Sequence, residues 1–347
     1  MKKRIFICGN FGYRTNHFDG QTVKTRIIKD EIEKKVGVEN VIFVDTSFIK
    51  TNTIKVFWKI FVGYFQSTHV IMLPDESALK VLLPFYSLGN LNKKKDMRYV
   101  VIGGWLPEFL ESKVFYRKLV SRLDGVYVET TEMLKRLREQ RLSNIKLQPN
   151  SRDFQIKKIG QYQFQQTETL KLVYFSRVLK EKGIELAIDA VNQLITEKGL
   201  QLTLDIYGPI QATYEDEFEK ISAKFDDSID YKGILSQNDI QNTLSKYDLM
   251  LFPTYFEKEG FPGAIIDAYI SGVPILASRW LYNSEFVKEG ITGKLFEDRN
   301  LEQIKKEIIH FYNNREVLTE MRKNCLSEAK KYHIDTVLME MFKDMGI

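Results

Sequence analysis

Two acidic residues lie eight positions apart around a Gly-Phe-Pro-Gly turn: Glu259 and Asp267 in the stretch E-G-F-P-G-A-I-I-D. Ionised carboxylates accept hydrogen bonds from hydroxyl groups, and free N–H groups at a helix start bind oxygen atoms. Pro262 favours such a start, because its missing N–H costs nothing in a first helical turn. The stretch therefore suits a polyhydroxylated ligand. A structural interpretation is equally open, in which Glu259 caps the helix and Asp267 complements its dipole.

A second stretch, S-R-V-L-K-E-K-G, carries the cations Arg177 and Lys182 between a predicted strand and a predicted helix. Both are therefore expected at the carboxyl end of that strand. A guanidinium binds phosphate oxygens with a planar fork, and an ammonium acts as a point charge, so the pair suits a diphosphate. An ordinary solvated run of charges is the alternative.

A third set of residues follows other predicted strands: Tyr207-Gly208, and later Tyr231-Lys232-Gly233. Either group is placed to line a pocket for a nucleobase. The signal is weak, because a glycine after a strand usually marks only a turn.

The elements that position these residues alternate along the chain, with short apolar runs separated by stretches of helical periodicity. The predicted strands are Arg4–Gly9, Val41–Asp45, His69–Leu73, Tyr99–Gly103, Gly125–Glu129, Lys146–Pro149, Leu172–Ser176, Leu202–Tyr207, Ile229–Gly233, Met250–Pro253, Pro274–Ala277 and Lys294–Phe296. This alternation predicts parallel, buried sheets. The 347 residues exceed what one core usually serves, and a Gln-rich segment, Gln155–Thr169, reads as a linker. We therefore expect two doubly wound α/β domains.

Composition places the chain among globular proteins, with 44% hydrophobic and 28% charged residues. Cys8 and Cys325 are too few for a disulfide framework, and neither a secretory signal nor an 18-residue apolar run is found. These features predict a cytoplasmic protein.

The charge is unevenly distributed along the chain. Residues 1–150 hold 26 Lys and Arg against 15 Asp and Glu, a balance of +11, whereas the remainder holds 25 Lys and Arg against 31 Asp and Glu. The first half is thus expected to meet an anionic partner. Nucleic acid is not expected, since no nucleic-acid-binding module is recognised.

The order of these motifs resembles glycosyltransferase family 4, which are retaining enzymes of the two-domain GT-B fold, and most closely its bacterial capsule and exopolysaccharide members. The residues that carry the resemblance are Arg177, Lys182-Gly183, Tyr207-Gly208, Tyr231-Lys232-Gly233, Glu259-Gly260-Phe261, Asp267 and Ser271-Gly272-Val273-Pro274, with weaker matches at Val128-Glu129-Thr130, Gln148-Pro149-Asn150 and the loop Gly9–Thr22. The resemblance implies two Rossmann-like domains that face each other across a cleft. Residues 1–155 would bind the acceptor, 156–330 the nucleotide sugar, and 331–347 would form a helix that packs back on the first domain.

The resemblance also implies roles for individual residues. Arg177 and Lys182 would bind the donor diphosphate and stabilise it as it leaves. Glu259 would hold donor-sugar hydroxyls, and Asp267 would bind the ribose, although the family usually has Glu there. The other donor-binding residues would be Gly20, Tyr207, Gly208, Gly260, Phe261, Pro262 and Gly263. On the acceptor side, His17 and Trp105 are the candidates, since the region Gly103–Glu108 lacks the His that members often carry.

No cofactor or metal is expected. The resemblance implies a mechanism that needs no metal, in which a donor phosphate oxygen takes the acceptor's proton, and no D-x-D motif or His/Cys cluster is found in the sequence. The predicted activity is transfer of a sugar, by resemblance from a UDP-sugar, to a saccharide or an undecaprenyl-diphosphate-linked glycan in cell-surface polysaccharide synthesis. Two alternatives stay open: an inactive GT-B subunit that binds sugar or stabilises a partner, and a GT-B nucleotide-sugar epimerase.

Two stretches of the first half raise the question of a peripheral contact with the inner membrane leaflet. In Glu111–Arg122, basic residues recur four apart beside an apolar set, which fits either an anionic leaflet or a core helix with a solvated basic side. In Thr53–Phe65, the residues Phe57, Trp58, Phe61 and Phe65 are predicted to be core.

Overall fold

A computed structural model describes residues 3–13, 20–48, 52–92, 94–155 and 168–347. The chain divides into two compact units. The first unit comprises Met1–Asp153, Lys258–Phe261 and Ile334–Ile347, and the second comprises Phe154–Glu257 and Pro262–His333. Within the described ranges, no helix is both long enough and apolar enough to cross a bilayer.

The first unit is built on a parallel sheet of six strands within its described residues, in the order β2-β1-β3-β4-β5-β6. Its strands are β1 (Ile5–Gly9), β2 (Val41–Asp45), β3 (His69–Leu73), β4 (Asp96–Val100), β5 (Gly125–Val128) and β6 (Ile145–Leu147). Its helices are α1 (Gly20–Val36), α2 (Thr53–Gln66), α3 (Glu76–Gly89), α4 (Leu106–Ser112), α5 (Val114–Val120), α6 (Thr131–Glu139) and the last helix, α14 (Ile334–Met345).

Alternation along β1 assigns its side chains to two layers of helices. Ile5 and Ile7 share a buried cluster with Ile28 of α1 and Met341 of α14. Phe6 points to the opposite face, where its ring lies 6.5 Å from that of Tyr86 in α3 and its side chain approaches α2 at Gly63. Helices therefore cover both faces of the sheet, which explains why its strands are apolar on both sides.

The second unit has another parallel sheet, six strands among the described residues, in the order β12-β11-β10-β7-β8-β9. Its strands are β7 (Leu170–Phe175), β8 (Leu202–Tyr207), β9 (Ile229–Gly233), β10 (Leu249–Phe252), β11 (Ile275–Ser278) and β12 (Gly293–Phe296). Its helices are α7 (Ile184–Lys198), α8 (Glu215–Ser222), α9 (Ile240–Leu244), α10 (Gly263–Ile270), α11 (Asn283–Phe286), α12 (Leu301–Asn313) and α13 (Arg315–Ala329). The strand order reverses between β7 and β10, and ligands of such sheets bind beyond the strand ends at this switch point.

The predicted fold class is confirmed, because both units are doubly wound parallel α/β sheets. One predicted strand was displaced: β4 spans Asp96–Val100 instead of Tyr99–Gly103. The cause is Arg98, which reads as a surface residue but is buried, with its Nη2 2.6 Å from an Asp96 carboxylate oxygen. A neutralised cation in a strand breaks the apolar pattern without breaking the strand.

The prediction that Phe57, Trp58, Phe61 and Phe65 are core was wrong. Helix α2 buries Val56, Ile60, Gly63 and Tyr64 instead, and Phe57, Trp58, Phe61 and Phe65 lie exposed. Both stripes of this helix are apolar, so periodicity alone did not show which one faces the sheet. The stretch Glu111–Arg122 is likewise divided at Lys113 into α4 and α5, with Leu119 and Val120 buried.

Helix α14 is held on the first unit by Asp344 near its end. The Asp344 carboxylate accepts hydrogen bonds from the Tyr127 hydroxyl at 2.8 Å and the Lys146 ammonium at 2.6 Å, and Arg98 donates to its backbone oxygen at 2.9 Å. Burial alone would raise the pKa of Asp344, but the bonds from Lys146 and Tyr127 outweigh it and lower that pKa below its usual value.

We expect Asp344→Asn to lower the thermal midpoint of unfolding near neutral pH, because the ion pair with Lys146 is lost. A depressed pKa stabilises the fold above the unfolded-state pKa of about 3.9, so the difference from wild type should shrink as pH falls below about 4. Thermal melting curves of both proteins from pH 7 to pH 3 measure this difference in midpoint. Glu340→Gln is the control, since Glu340 is an exposed partner of Lys146 at 3.4 Å. A difference that does not change with pH would contradict this account.

Candidate functional site

The turn that follows β7 carries both predicted cations, and one buried hydroxyl holds it. The Tyr174 hydroxyl lies 3.1 Å from the backbone oxygen of Arg177 and 3.3 Å from that of Lys182. The residue is fully buried within the sheet, so its ring position is fixed by packing. Both cations are therefore anchored, through their own backbone, to the carboxyl end of the strand at the switch point.

A close backbone approach fixes the same turn from the side of β10. Gly183 adopts φ +76°, and a Cβ there would lie 2.1 Å from the backbone oxygen of Pro253. The Tyr255 N–H donates to the Glu181 oxygen at 2.8 Å. Only glycine allows this combination of angle and contact, so the turn after β7 and the segment after β10 are joined where the strand order reverses.

The Lys182 side chain lies largely out of solvent. It is 8% exposed, and its ammonium lies 4.8 Å from the centroid of the Phe256 ring. The Phe256 backbone oxygen accepts a hydrogen bond from the Trp280 indole N–H at 2.9 Å. A largely buried ammonium interacts more strongly with an anion than a solvated one, so the position of Lys182 is compatible with an anionic ligand.

Arg177 lies at the ends of β7 and β8. Its guanidinium donates to the Gln211 side-chain oxygen at 3.3 Å. Gly208, with φ +141°, lets β8 approach so closely that a Cβ would lie 1.8 Å from the Ser176 oxygen. A side chain at position 208 would collide with the backbone next to Arg177, so the conformation of this loop requires glycine there. Tyr207 is buried, and its hydroxyl lies 3.0 Å from that of Tyr247.

Helix α10 begins directly after the Gly-Phe-Pro-Gly turn. Pro262 is its N-cap residue, Gly263 its first helical residue, and Asp267 is buried one turn further on. The Ser271 hydroxyl donates to the Asp267 backbone oxygen at 2.7 Å, which closes the helix end. The predicted helix is therefore present, and Asp267 lies on its buried side, one turn after its start.

The four residues directly before Pro262, Lys258–Phe261, belong to the first unit, where Glu129 binds their backbone. Its Oε2 accepts from the Phe261 N–H at 3.0 Å and from the Gly103 N–H at 3.3 Å. The Asn150 side chain donates to the Phe261 oxygen at 3.2 Å. The backbone beside Glu259, which is itself 8% exposed, is thus fixed at the carboxyl ends of β4, β5 and β6.

The other oxygen of Glu129 forms a buried ion pair with Lys24 of α1. Glu129 Oε1 lies 2.6 Å from Lys24 Nζ, and the side chain of Glu129 is 3% exposed and that of Lys24 2% exposed. Removal of one partner of such a pair costs about 3–5 kcal/mol, because a charge is left buried and uncompensated. Gly260 is required beside it, since a Cβ there would lie 2.2 Å from the Glu129 carboxylate.

Comparison with known proteins assigns the second unit. The family model for glycosyl transferases group 1 matches residues 155–332, just over half of the chain. The chain belongs to this family. The matched region contains the Arg177–Gly183 turn, Gly208 and helix α10, so the family model and the switch-point geometry describe the same part of the molecule.

Curated relatives of this glycosyl transferases group 1 protein include two bacterial proteins. An uncharacterized 41.2 kDa protein in the cps region of Klebsiella pneumoniae is 26% identical over 164 residues, which span 46% of this chain and 42% of that protein. A poly(ribitol-phosphate) alpha-N-acetylglucosaminyltransferase of Staphylococcus aureus is 25% identical over 179 residues, 49% of this chain and 34% of that enzyme. The alignments thus span less than half the length of either relative.

The fold is that of solved members of the GT-B class. HepE of Anabaena, solved in complex with UDP and glucose, has a TM-score of 0.75 at 14% identity, and the match covers 99% of both chains. At this identity the likeness shows the fold alone.

The structure groups the predicted site residues by unit. In the second unit, Arg177, Lys182 and Gly208 lie together at the ends of β7 and β8, with Tyr207 behind them in the sheet. Pro262, Gly263 and Asp267 lie on α10 of the same unit. In the first unit, Glu259, Gly260 and Phe261 lie on the segment bound by Glu129.

The remaining predicted residues lie in the first unit or outside the described part of the chain. Trp105 donates its indole N–H to the Ile102 oxygen at 3.1 Å, on the same loop as Gly103. Gly20 is the first residue of α1 and is exposed, and a Cβ there would meet no atom within 4 Å. His17 lies outside the described residues. Within those residues, no cluster of acidic, His or Cys side chains is arranged to hold a metal ion.

We predict that Tyr174→Phe loosens the Arg177–Gly183 turn without unfolding the unit. One hydrogen bond contributes about 1 kcal/mol, so amide exchange in this segment should accelerate about fivefold. Hydrogen-exchange mass spectrometry measures it. The matched control is Tyr269→Phe, which removes a buried hydroxyl bonded to the Phe286 oxygen at 2.7 Å in the same unit. Unchanged exchange in Tyr174→Phe, or an equal acceleration in the control, would contradict the positioning role.

Proposed function

We propose that this protein transfers a sugar from a nucleotide-diphosphate sugar, a UDP-sugar, to a saccharide or lipid-linked oligosaccharide, with retention of configuration. The observation that carries the proposal is the Arg177–Gly183 turn at the switch point, where Tyr174 and Gly183 fix two cations beyond the end of β7. Two cations at a strand-end crevice suit the diphosphate of such a donor.

The same cations account for the chemistry of the leaving group. When the bond between the sugar C1 and the phosphate oxygen breaks, negative charge grows on the diphosphate. Arg177 stabilises it as a hydrogen-bonding fork, and Lys182 stabilises it as a point charge that is already partly desolvated. These two side chains supply the positive charge that a divalent cation supplies in other transferases, and we expect full activity in the presence of a chelator.

Retention follows if the acceptor oxygen attacks from the face that the diphosphate leaves. A new bond then forms between C1 and the acceptor oxygen, and the acceptor proton passes to a phosphate oxygen of the departing donor. No protein base is required by this step. Glu259 holds hydroxyls of the donor sugar, and the contacts of Glu129 and Asn150 with Phe261 keep its segment in place. Asp267 binds the ribose hydroxyls.

Three observations support the choice of donor and pathway. The similar structure of HepE was solved with UDP, the Klebsiella relative lies in a cps region, and the Staphylococcus relative is an N-acetylglucosaminyltransferase. We therefore propose that the acceptor belongs to cell-surface polysaccharide synthesis. An acceptor carried on a polyprenyl diphosphate would bring the protein to the cytoplasmic face of the membrane, where the +11 balance of residues 1–150 would favour anionic lipid.

We predict that Arg177→Ala and Lys182→Ala each lower turnover at least a hundredfold, because each removes charge stabilisation of the leaving group. UDP release is measured with a panel of UDP-sugars and saccharide acceptors. Lys180→Ala is the matched control from the same turn, since Lys180 is exposed and faces Glu185 and Glu217. Its activity should stay within about twofold of wild type, the scale of an exposed ion pair.

Full activity in either variant would overturn the diphosphate assignment. Wild type that binds no nucleotide diphosphate would instead indicate an inactive GT-B subunit. Interconversion of UDP-sugars without an acceptor would indicate an epimerase.

A further inference from the structure

Helix α2 presents its aromatic side chains to solvent. Trp58 is 65% exposed and Phe65 is 58% exposed. Phe61, at 43%, lies between them along the helix, and Ile54, at 88%, precedes Trp58 by one turn. The opposite stripe of the helix already fills the core through Val56, Ile60 and Tyr64. Large apolar side chains in such a continuous row indicate an interaction surface rather than scattered exposure.

The exposed row continues onto α3. The Phe61 ring lies 5.8 Å from Trp58, 4.6 Å from Phe65 and 6.5 Å from Phe85 of α3. Val81 and Leu88, 52% and 70% exposed, lie four residues before and three residues after Phe85, so the three share one stripe of α3.

Helix α5 extends the surface further. Its Tyr116 hydroxyl donates to the Lys80 oxygen of α3 at 3.1 Å, and the neighbouring Val114 and Phe115 are both more than half exposed. The term aromatic face is used here for eight exposed apolar residues of these three helices: Ile54, Trp58, Phe61, Phe65, Val81, Leu88, Val114 and Phe115.

Basic side chains accompany the aromatic face. Lys55 and Lys59 lie one helical turn apart on α2, both exposed, and Thr53–Gln66 contains no acidic residue. The stretch Lys113–Leu123, which includes α5, also lacks acidic residues and contributes Arg117, Lys118 and Arg122. The surface therefore combines exposed Trp and Phe side chains with positive charge, the combination found where helices lie in the headgroup region of anionic membranes.

We propose that the aromatic face docks on an anionic lipid bilayer, with Trp58, Phe61 and Phe65 at the boundary of headgroups and acyl chains. The lysines of α2 then contact lipid phosphates. A second copy of the chain fits the surface poorly, because two such faces would bring like charges together. A desolvated protein interface is also depleted in lysine, whereas lysines alternate with the aromatic residues here. This inference deepens the membrane contact of the proposed function.

The test is flotation of the full chain with vesicles of phosphatidylcholine alone or with phosphatidylglycerol added. Neither donor nor acceptor is present, so failure of docking is distinguishable from failure of transfer. We expect wild type to bind only the anionic vesicles. Trp58→Ala/Phe65→Ala should weaken that binding at least tenfold. Ile234→Ala/Met339→Ala, which removes side chains that are 63% and 61% exposed elsewhere, should leave it unchanged.

Two further readouts separate charge from apolar contact. Lys55→Glu/Lys59→Glu should abolish the preference for phosphatidylglycerol, whereas Lys220→Glu/Lys224→Glu, an exposed pair with the same spacing on the second unit, should retain it. Binding should also shift the tryptophan emission to shorter wavelength, and Trp58→Phe should remove most of the shift while binding persists, since only Trp58, Trp105 and Trp280 emit.

Equal binding of wild type to both vesicle types would overturn the proposal, as would undiminished binding of Trp58→Ala/Phe65→Ala. So would a dimer in analytical ultracentrifugation that this variant converts to monomer without any vesicle binding, because the aromatic face would then be covered by a second copy.

Discussion

The second unit depends on one constraint, the close contact between the turn after β7 and the backbone after β10. Gly183 permits it, since any side chain would collide with the Pro253 oxygen. Tyr174 then ties the backbone of Arg177 and of Lys182 to the end of β7. Two flexible side chains are thereby attached to rigid backbone, which would reduce the entropy lost on binding the diphosphate that we propose as their ligand.

In the first unit, a buried side chain also fixes the backbone of a loop, and here that side chain is acidic. Glu129 at the end of β5 binds the backbone N–H of Phe261, and Lys24 neutralises its charge from α1. A buried ion pair is a weak source of stability, but here each charge has a structural use, since the carboxylate fixes a loop that apolar side chains could not hold. In both units a buried polar group at a strand end positions a segment that carries proposed site residues.

The sequence was a good guide where the signal is local. Strand runs, the cations after β7 and the glycines at 183 and 208 followed from periodicity and turn chemistry, and eleven of the twelve predicted strands lie within two residues of their observed bounds at both ends. The pairing of Lys24 with Glu129 was not predictable, because 105 residues separate the partners and only the folded sheet brings them together. Arg98 displaced a predicted strand, because a buried cation paired with Asp96 interrupts the apolar pattern, and α2 misled because both of its stripes are apolar.

The central claim, that the Arg177–Gly183 turn binds a diphosphate, is tested most directly by calorimetry of wild type with UDP and with UMP. Both ligands carry the same base and ribose, and they differ in the second phosphate that Arg177 and Lys182 are proposed to bind. Charge-assisted hydrogen bonds contribute about 1.5–3 kcal/mol each, so UDP should bind at least tenfold more tightly than UMP. Equal affinities, or no heat with UDP, would contradict the account.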